Sequence, residues 1–219
     1  MILCLFFILA AMSCKDEGYE TGDGDLSFLK ADFGFVLTNN EKKCYGAETD
    51  EGDNLIFSQP KEQGWATVPD SLYRALIYYK YNKEKNSKVD LWSLVQVFSV
   101  YPINHSKLRE KRTDPLLFES AWLSGENKYL NLGLFVKTGV AGENDPKRTI
   151  GMISDTLLIN PDGHNRHELT LFHSQNGVPE YYSSRLWMTV NLSDVNPEDT
   201  INLKINTYDG MKSYLIVAP

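Results

Sequence analysis

The chain has 219 residues, 42% of them hydrophobic and 23% charged, enough for one large or two small globular domains. Its formal net charge of −7 argues against binding driven by nucleic-acid phosphates and against electrostatic docking on anionic lipid, since both need an excess of Lys and Arg. Aromatic residues reach 12%, with 12 Tyr and 10 Phe, a composition that leans toward β-strands.

Ile2 to Ala11 is an unbroken apolar run, and Met12-Ser13-Cys14 leads from it into the charged Lys15-Asp16-Glu17. As a helix, such a run spans about 15 Å, roughly half the hydrocarbon thickness of a bilayer. That length fits the apolar core of a signal peptide and is too short to cross a membrane. Ala11-Met12-Ser13-Cys14 resembles a lipobox, in which the cysteine is thioether-lipidated and becomes the first residue of the mature chain. Ala11 stands where Leu is usual, and residues 1–13 hold no Lys or Arg, which is compatible with a start further upstream. Residues 1–14 are read as a lipoprotein signal peptide, with Cys14 as the lipid attachment. Lys15-Asp16-Glu17 resembles the lipoprotein export signal of Bacteroidota, which implies an outer-membrane protein facing the cell exterior. The expected membrane contact is the lipid alone. Residues 15–25 are rich in Gly and acids and read as a flexible tether. Cys4 leaves with the leader and Cys14 carries lipid, so Cys44 has no internal disulfide partner and reads as a structural, partly buried thiol.

From residue 26 the hydrophobic period is two. Phe33, Phe35 and Leu37 alternate with Asp32, Gly34 and Val36. Tyr73, Ala75, Ile77, Tyr79 and Tyr81 mark one face of a long strand. Residues 89–100 are apolar on both sides, with Trp92, Leu94, Phe98 and Val100 opposite Val89, Leu91, Val95 and Val97, which predicts a strand covered on both faces. Residues 104–115 are polar and basic and end at Pro115, which marks a domain boundary. Alternation then resumes at 130–136, 186–192 and 201–205. Two runs at the close, 200–208 and 211–217, flank Asp209-Gly210, which predicts a hairpin through a type I′ turn. No helical period extends over ten residues, although 58–66 and 104–112 have room for one turn of helix. About five strands in residues 26–105 suit a small barrel, and six or seven short antiparallel strands in residues 112–219 suit a β-sandwich.

The order of these parts resembles the NigD-like lipoproteins of Bacteroidota. The residues that carry the resemblance are the Cys14 leader, Glu17-Gly18-Tyr19 in the tether, Ala121-Trp122-Leu123 followed by Tyr129-Leu130-Asn131, and Ile205-Asn206-Thr207-Tyr208-Asp209-Gly210 with Lys212 and Tyr214. The resemblance implies an all-β chain, with an N-terminal OB-like barrel and a C-terminal β-sandwich. It also implies a link to bacteriocin immunity, and it transfers no catalytic residue. Three triplets, Asp70-Ser71-Leu72, Asp155-Thr156-Leu157 and Asp199-Thr200-Ile201, resemble the O-glycosylation motif used by Bacteroides, with Ser71, Thr156 and Thr200 as acceptors. An Asp before Ser or Thr also shapes turns at strand entries, and this second reading stands beside the first.

No constellation names a reaction. His164, His167, Glu168 and His173 suggest a metal set, but on one strand His167 and His173 lie about 20 Å apart at ~3.3 Å per residue. Zinc needs ligands within about 2.3 Å of one point, so only a meeting of His164 and His167 across a turn would serve. Neither a metal nor a cofactor is expected. The acids at 50–53, 143–145 and 198–199 fall in Gly-, Pro- and Asn-rich loops and read as solvated. Lys107, Arg109, Lys111 and Arg112 read as a solvated linker. Trp92 and Trp122 sit inside apolar strands and read as core. Trp187, opposite the Leu186 stripe, is the candidate ligand contact. The expected function is a non-enzymatic surface binding or accessory module with a protein or glycan partner and no nucleic acid. Bacteriocin immunity and a structural role in an outer-membrane complex are the alternatives.

Overall fold

The computed structural model describes residues 29–81, 88–126, 128–139, 147–159, 161, 163–192 and 194–219. Strands β1 (Lys30–Thr38), β2 (Lys43–Thr49), β3 (Asn54–Glu62), β4 (Leu72–Tyr81) and β5 (Lys88–Gln96) close into a barrel in the order β1-β2-β3-β5-β4. The seam is parallel, Ile56 and Phe57 of β3 against Lys88 and Val89 of β5, while the other neighbours are antiparallel. This is the five-stranded OB-like barrel expected for the first half. Its interior is filled by Val36, Ala47, Leu55, Phe57, Ile77, Tyr79, Val89 and Leu91, together with the buried thiol of Cys44, which burial pushes up in pKa. A Cβ at Gly34 would collide with the Glu48 carbonyl oxygen, so the close approach of β1 to β2 requires glycine there.

The rest of the described chain forms two packed sheets. They are built from β6 (Phe98–Val100), β7 (Ile103–Asn104), β8 (Leu117–Ser124), β9 (Tyr129–Thr138), β10 (Thr149–Ile159), β11 (Asn165–Ser174), β12 (Tyr182–Asn191), β13 (Thr200–Thr207) and β14 (Gly210–Val217). One sheet has the order β14-β13-β11-β10-β7 and the other β6-β12-β9-β8. Leu130, Leu132, Leu134 and Val136 of β9 and Met188 and Val190 of β12 face Leu169 and Leu171 of β11 and Ile201, Leu203 and Ile205 of β13 across one core. The alternation that marked these strands in the sequence is the alternation of their inward faces. β8 with β9, β9 with β12, β10 with β11 and β13 with β14 are antiparallel, and β7 with β10, β6 with β12, and β11 with β13 run parallel.

The structure differs from the sequence expectations in several places. β6 and β7 lie within residues 98–104 yet pair with the sandwich sheets, where the sequence reading placed residues up to 105 with the barrel. Strands of three and two residues are too short to show a period. The 104–115 segment is also not a loose linker: His105–Lys107 makes one 3-10 turn, Thr113 bridges His173, and Leu116 bridges Thr207. Residues 58–62 continue β3 instead of turning helical.

Residues 89–100 are not covered on both faces, because the barrel interior takes only one of them. Trp92 is 56% exposed, and Val95 and Phe98 are also open. The strands covered twice are β1 and β4, whose outer residues Phe33 and Leu76 pack against the sandwich through Trp122 and Trp187. The closing hairpin forms as predicted, but Thr207 pairs directly with Gly210 and only Gly210 has positive φ, at 95°. Type I′ needs positive φ at both central residues, so Tyr208 and Asp209 form the turn and Gly210 takes the left-handed position after it.

Candidate functional site

The candidate site is the junction where the outer faces of β1 and β4 meet the outer faces of β8, β9 and β12. Its anchor is a buried ion pair. Asp50 sits in the turn after β2, a turn tied by Thr49 and Asp53 and admitted by Gly52 at φ 88°. The Asp50 backbone N–H donates to Phe33 O at 2.9 Å, which points its carboxylate at β4. Arg74 on β4 donates to both Asp50 carboxylate oxygens, through Nη1 and through Nη2 at 2.6 Å. The side chains are 2% and 5% exposed.

The sandwich completes the network. Arg74 Nη2 donates to Asn131 Oδ1 and Arg74 Nε to Thr189 Oγ1, both at 3.1 Å. Ser124 Oγ donates to Asp50 Oδ2, and Asn131 Nδ2 donates to Ser124 Oγ at 2.7 Å. The guanidinium lies 4.5 Å from the Tyr129 ring centroid and 5.1 Å from that of Phe35. Two opposite charges out of water are tolerable only when their remaining donors and acceptors are met, and here they are met from both halves of the chain.

Two clefts flank this anchor and meet at the Asp50-Glu51 turn. One, of about 490 Å³, runs between Phe35, Glu48 and Glu51 on the barrel side and Glu126, Lys128 and Tyr129 on the sandwich side. The other, of about 370 Å³, is walled by Asp32, Phe33, Glu51, Tyr78, Trp122 and Trp187. Trp187 thus lines a cleft as a half-buried residue, and Trp122, expected in the core, lines the same cleft. Arg185 covers Trp187 at 5.4 Å from its ring centroid and pairs with Glu119 at 2.6 Å. Sequence reasoning missed Arg74 and Thr189, gave Asn131 no role beyond the family resemblance, and read Asp50 as a solvated loop acid, where the structure buries it against Arg74. The available signal was a polar residue at a position flanked by apolar neighbours, Asn131 between Leu130 and Leu132 and Thr189 between Met188 and Val190.

The other predicted residues are scattered. Cys14, Lys15, Asp16 and Glu17 lie outside the described residues. Ser71 is half-buried and donates to Pro69 O at 2.8 Å, Thr200 is half-buried between β14 and β11, and Thr156 is exposed on β10. The histidines turn to separate partners: His167 Nε2 to Asp199 at 3.2 Å, His164 to Glu198 at 3.0 Å, and His173 Nδ1 to the Asp114 carbonyl at 2.8 Å. Among the described residues no group of three or more His, Cys, Asp or Glu is arranged to hold a metal ion. No helix among them is long and apolar enough to cross a membrane.

Asp199, the first residue of one Asp-Thr triplet, is a turn-former. It is 1% exposed and accepts from the backbone N–H of Asn165 at 2.7 Å and of Asn196 at 2.9 Å. Burial pushes its pKa up, but those two N–H groups and the His167 ring outweigh it and hold the carboxyl at about 2. Because the folded value lies below the ordinary 3.8, the carboxylate stabilises the fold above that pH, and the stabilisation is lost as pH falls from 3.8 toward 2. The difference amounts to about 2 kcal/mol at 1.36 kcal/mol per pKa unit. Urea midpoints measured from pH 5 to pH 2 are expected to fall less steeply in Asp199→Asn than in the parent, by about one proton's worth. Identical slopes would show that Asp199 is not held in this way.

The family model described as the NigD-like C-terminal beta sandwich domain matches residues 99–218, from β6 to the end of β14. Three solved structures share the whole architecture. A NigD-like immunity protein from Bacteroides caccae is 24% identical, with a TM-score of 0.65 over 85% of this chain and 91% of its own. A protein of unknown function from Bacteroides vulgatus is 18% identical, with a TM-score of 0.63 over 87% of this chain and 91% of its own. A candidate lipoprotein from Bacteroides fragilis is 14% identical, with a TM-score of 0.60 over 87% of this chain and 98% of its own. At these identities the likeness speaks for the fold alone. No curated protein matches the sequence. With the family model covering more than half of the chain and the sandwich built as that model requires, the chain belongs to the NigD-like family.

Proposed function

We propose that this NigD-like chain is a lipid-anchored, non-catalytic accessory protein of the outer-membrane surface that takes up a partner in the cleft between barrel and sandwich. The observation that carries the reading is the Arg74–Asp50 anchor. It fixes two clefts with aromatic and acidic walls in one geometry, so binding spends little on ordering the site. The Cys14 leader and the lipoprotein-like relative from Bacteroides fragilis support the anchor. Palmitate labelling is expected to mark the parent and to vanish in Cys14→Ala; a label that survives the substitution removes the lipid anchor from the reading. Pull-down from native membranes with the full-length protein is expected to retain a protein or glycan that Tyr78→Ala, on the cleft wall, releases. A partner retained equally by Tyr78→Ala places the interaction elsewhere and ends the cleft reading.

A second reading, immunity to a bacteriocin, is favoured by one observation, the description of the Bacteroides caccae structure as a NigD-like immunity protein. Deleting the gene is then expected to sensitise the cell to a toxin made by its neighbours. Unchanged survival would discard this reading.

A further inference from the structure

The smaller cleft has a chemistry of its own. Phe33, Trp122 and Trp187 pack edge to face, with centroids 5.1, 5.8 and 6.2 Å apart and ring planes 80°, 82° and 77° from one another. No two faces are coplanar, so these rings form a corner and not the flat platform on which a sugar ring stacks. A corner of π-faces suits a compact cationic head, attracted to each ring quadrupole within about 6 Å.

The charges agree. Asp32 and Glu51 stand on the wall, and no Lys or Arg is among the lining residues. Asp50 is already neutralised by Arg74, and Arg185 over Trp187 by Glu119. Asp32 reaches the wall from the inward side of β1, where its carboxylate accepts from the Tyr79 hydroxyl at 2.6 Å, so Glu51 is the acid open to the cleft. Glu51 is exposed and belongs to both clefts, where the larger one adds Glu48 and a Glu126 already paired with Lys128 at 3.3 Å. A single cation would use only the corner; a run of cations would follow the acids round the turn. The protein itself shows the preference on these rings, with Arg74 5.7 Å from the Phe33 centroid and Arg185 5.4 Å from that of Trp187, beside Arg74 over Tyr129 at 4.5 Å and Arg185 over Phe135 at 5.0 Å.

We propose that the corner formed by Phe33, Trp122 and Trp187 with Glu51 receives an arginine or lysine side chain from a basic segment of a partner polypeptide. The inference rests on the accessory-binding reading and names its ligand class. The probe is the peptide acetyl-Gly-Arg-Lys-Arg-Gly-amide, titrated calorimetrically into the full-length protein, with an acidic peptide of the same length and maltohexaose as comparisons. Saturable binding of the basic peptide alone is expected, weakening as salt rises. Glu51→Gln, an exposed substitution that leaves the packing untouched, is expected to weaken it about fivefold, and Glu51→Asp to restore part of the loss. Trp187→Leu is expected to abolish it. No saturation at millimolar peptide, equal binding of the acidic peptide, saturation by maltohexaose, or full affinity in Glu51→Gln would each overturn the assignment. If native membranes still yield a partner that Tyr78→Ala releases while the peptide fails to bind, the ligand class falls and the accessory reading stands.

Discussion

Asp50→Ala is expected to cost about 3–5 kcal/mol of stability, because it strands the Arg74 guanidinium in a site that is only 2% exposed. Asn131 and Thr189 would still accept from it, but neither neutralises the charge. The double variant Asp50→Ala, Arg74→Met is expected to recover much of the loss, since an apolar side chain of similar volume has no charge to solvate. Urea unfolding of the parent, both single variants and the double variant gives the coupling directly. The network also bridges two bodies, so a second effect follows. Once it is broken, the barrel and the sandwich are expected to melt in two transitions instead of one. A single variant costing less than about 1 kcal/mol would mean that water reaches the pair in solution.

Leu132→Ala is the other large effect. Leu132 is fully buried on β9, paired with Ala121 of β8 and Met188 of β12, and it faces the opposite sheet. Truncation removes apolar contacts and leaves a cavity that two sheets held by hydrogen bonds cannot collapse, at about 2–5 kcal/mol. In a chain of this size that lowers the melting temperature by roughly 5–15 °C. Leu157→Ala is the control. Leu157 is 49% exposed at the open end of β10, and its loss is expected to stay within about 0.5 kcal/mol. Comparable shifts in the two variants would contradict the inward face assigned to β9.

Wherever one face of a strand meets a core and the other meets water, the sequence reads directly. The stripes Leu130-Leu132-Leu134 and Ile201-Leu203-Ile205 are such cases, and both point inward as predicted. The reading fails where burial comes from distant chain. Phe33 and Leu76 look like ordinary outer-face residues until the sandwich covers them. Trp92 looks like core, yet nothing arrives to cover it. The site suffers most from this. Arg74 bonds to Asn131 and Thr189, 57 and 115 residues away, and no local period connects a guanidinium with an amide and a hydroxyl on other strands. The family resemblance supplied the two-part architecture and was silent about the polar weld between the parts. Trp187 was legible as an unusual aromatic beside Arg185 and Thr189, but its corner partners, Phe33 and Trp122, were not.

The placement of β6 and β7 bears on how the gene can be divided. Each caps one sheet, β6 alongside β12 and β7 alongside β10, although both are encoded before the basic stretch that looks like a natural seam. A recombinant fragment opened at codon 112 would bare the backbone of β10 and β12 and invite chain-to-chain aggregation. An excision that keeps the sandwich whole has to start ahead of Phe98, and there it cuts almost directly against the last strand of the barrel.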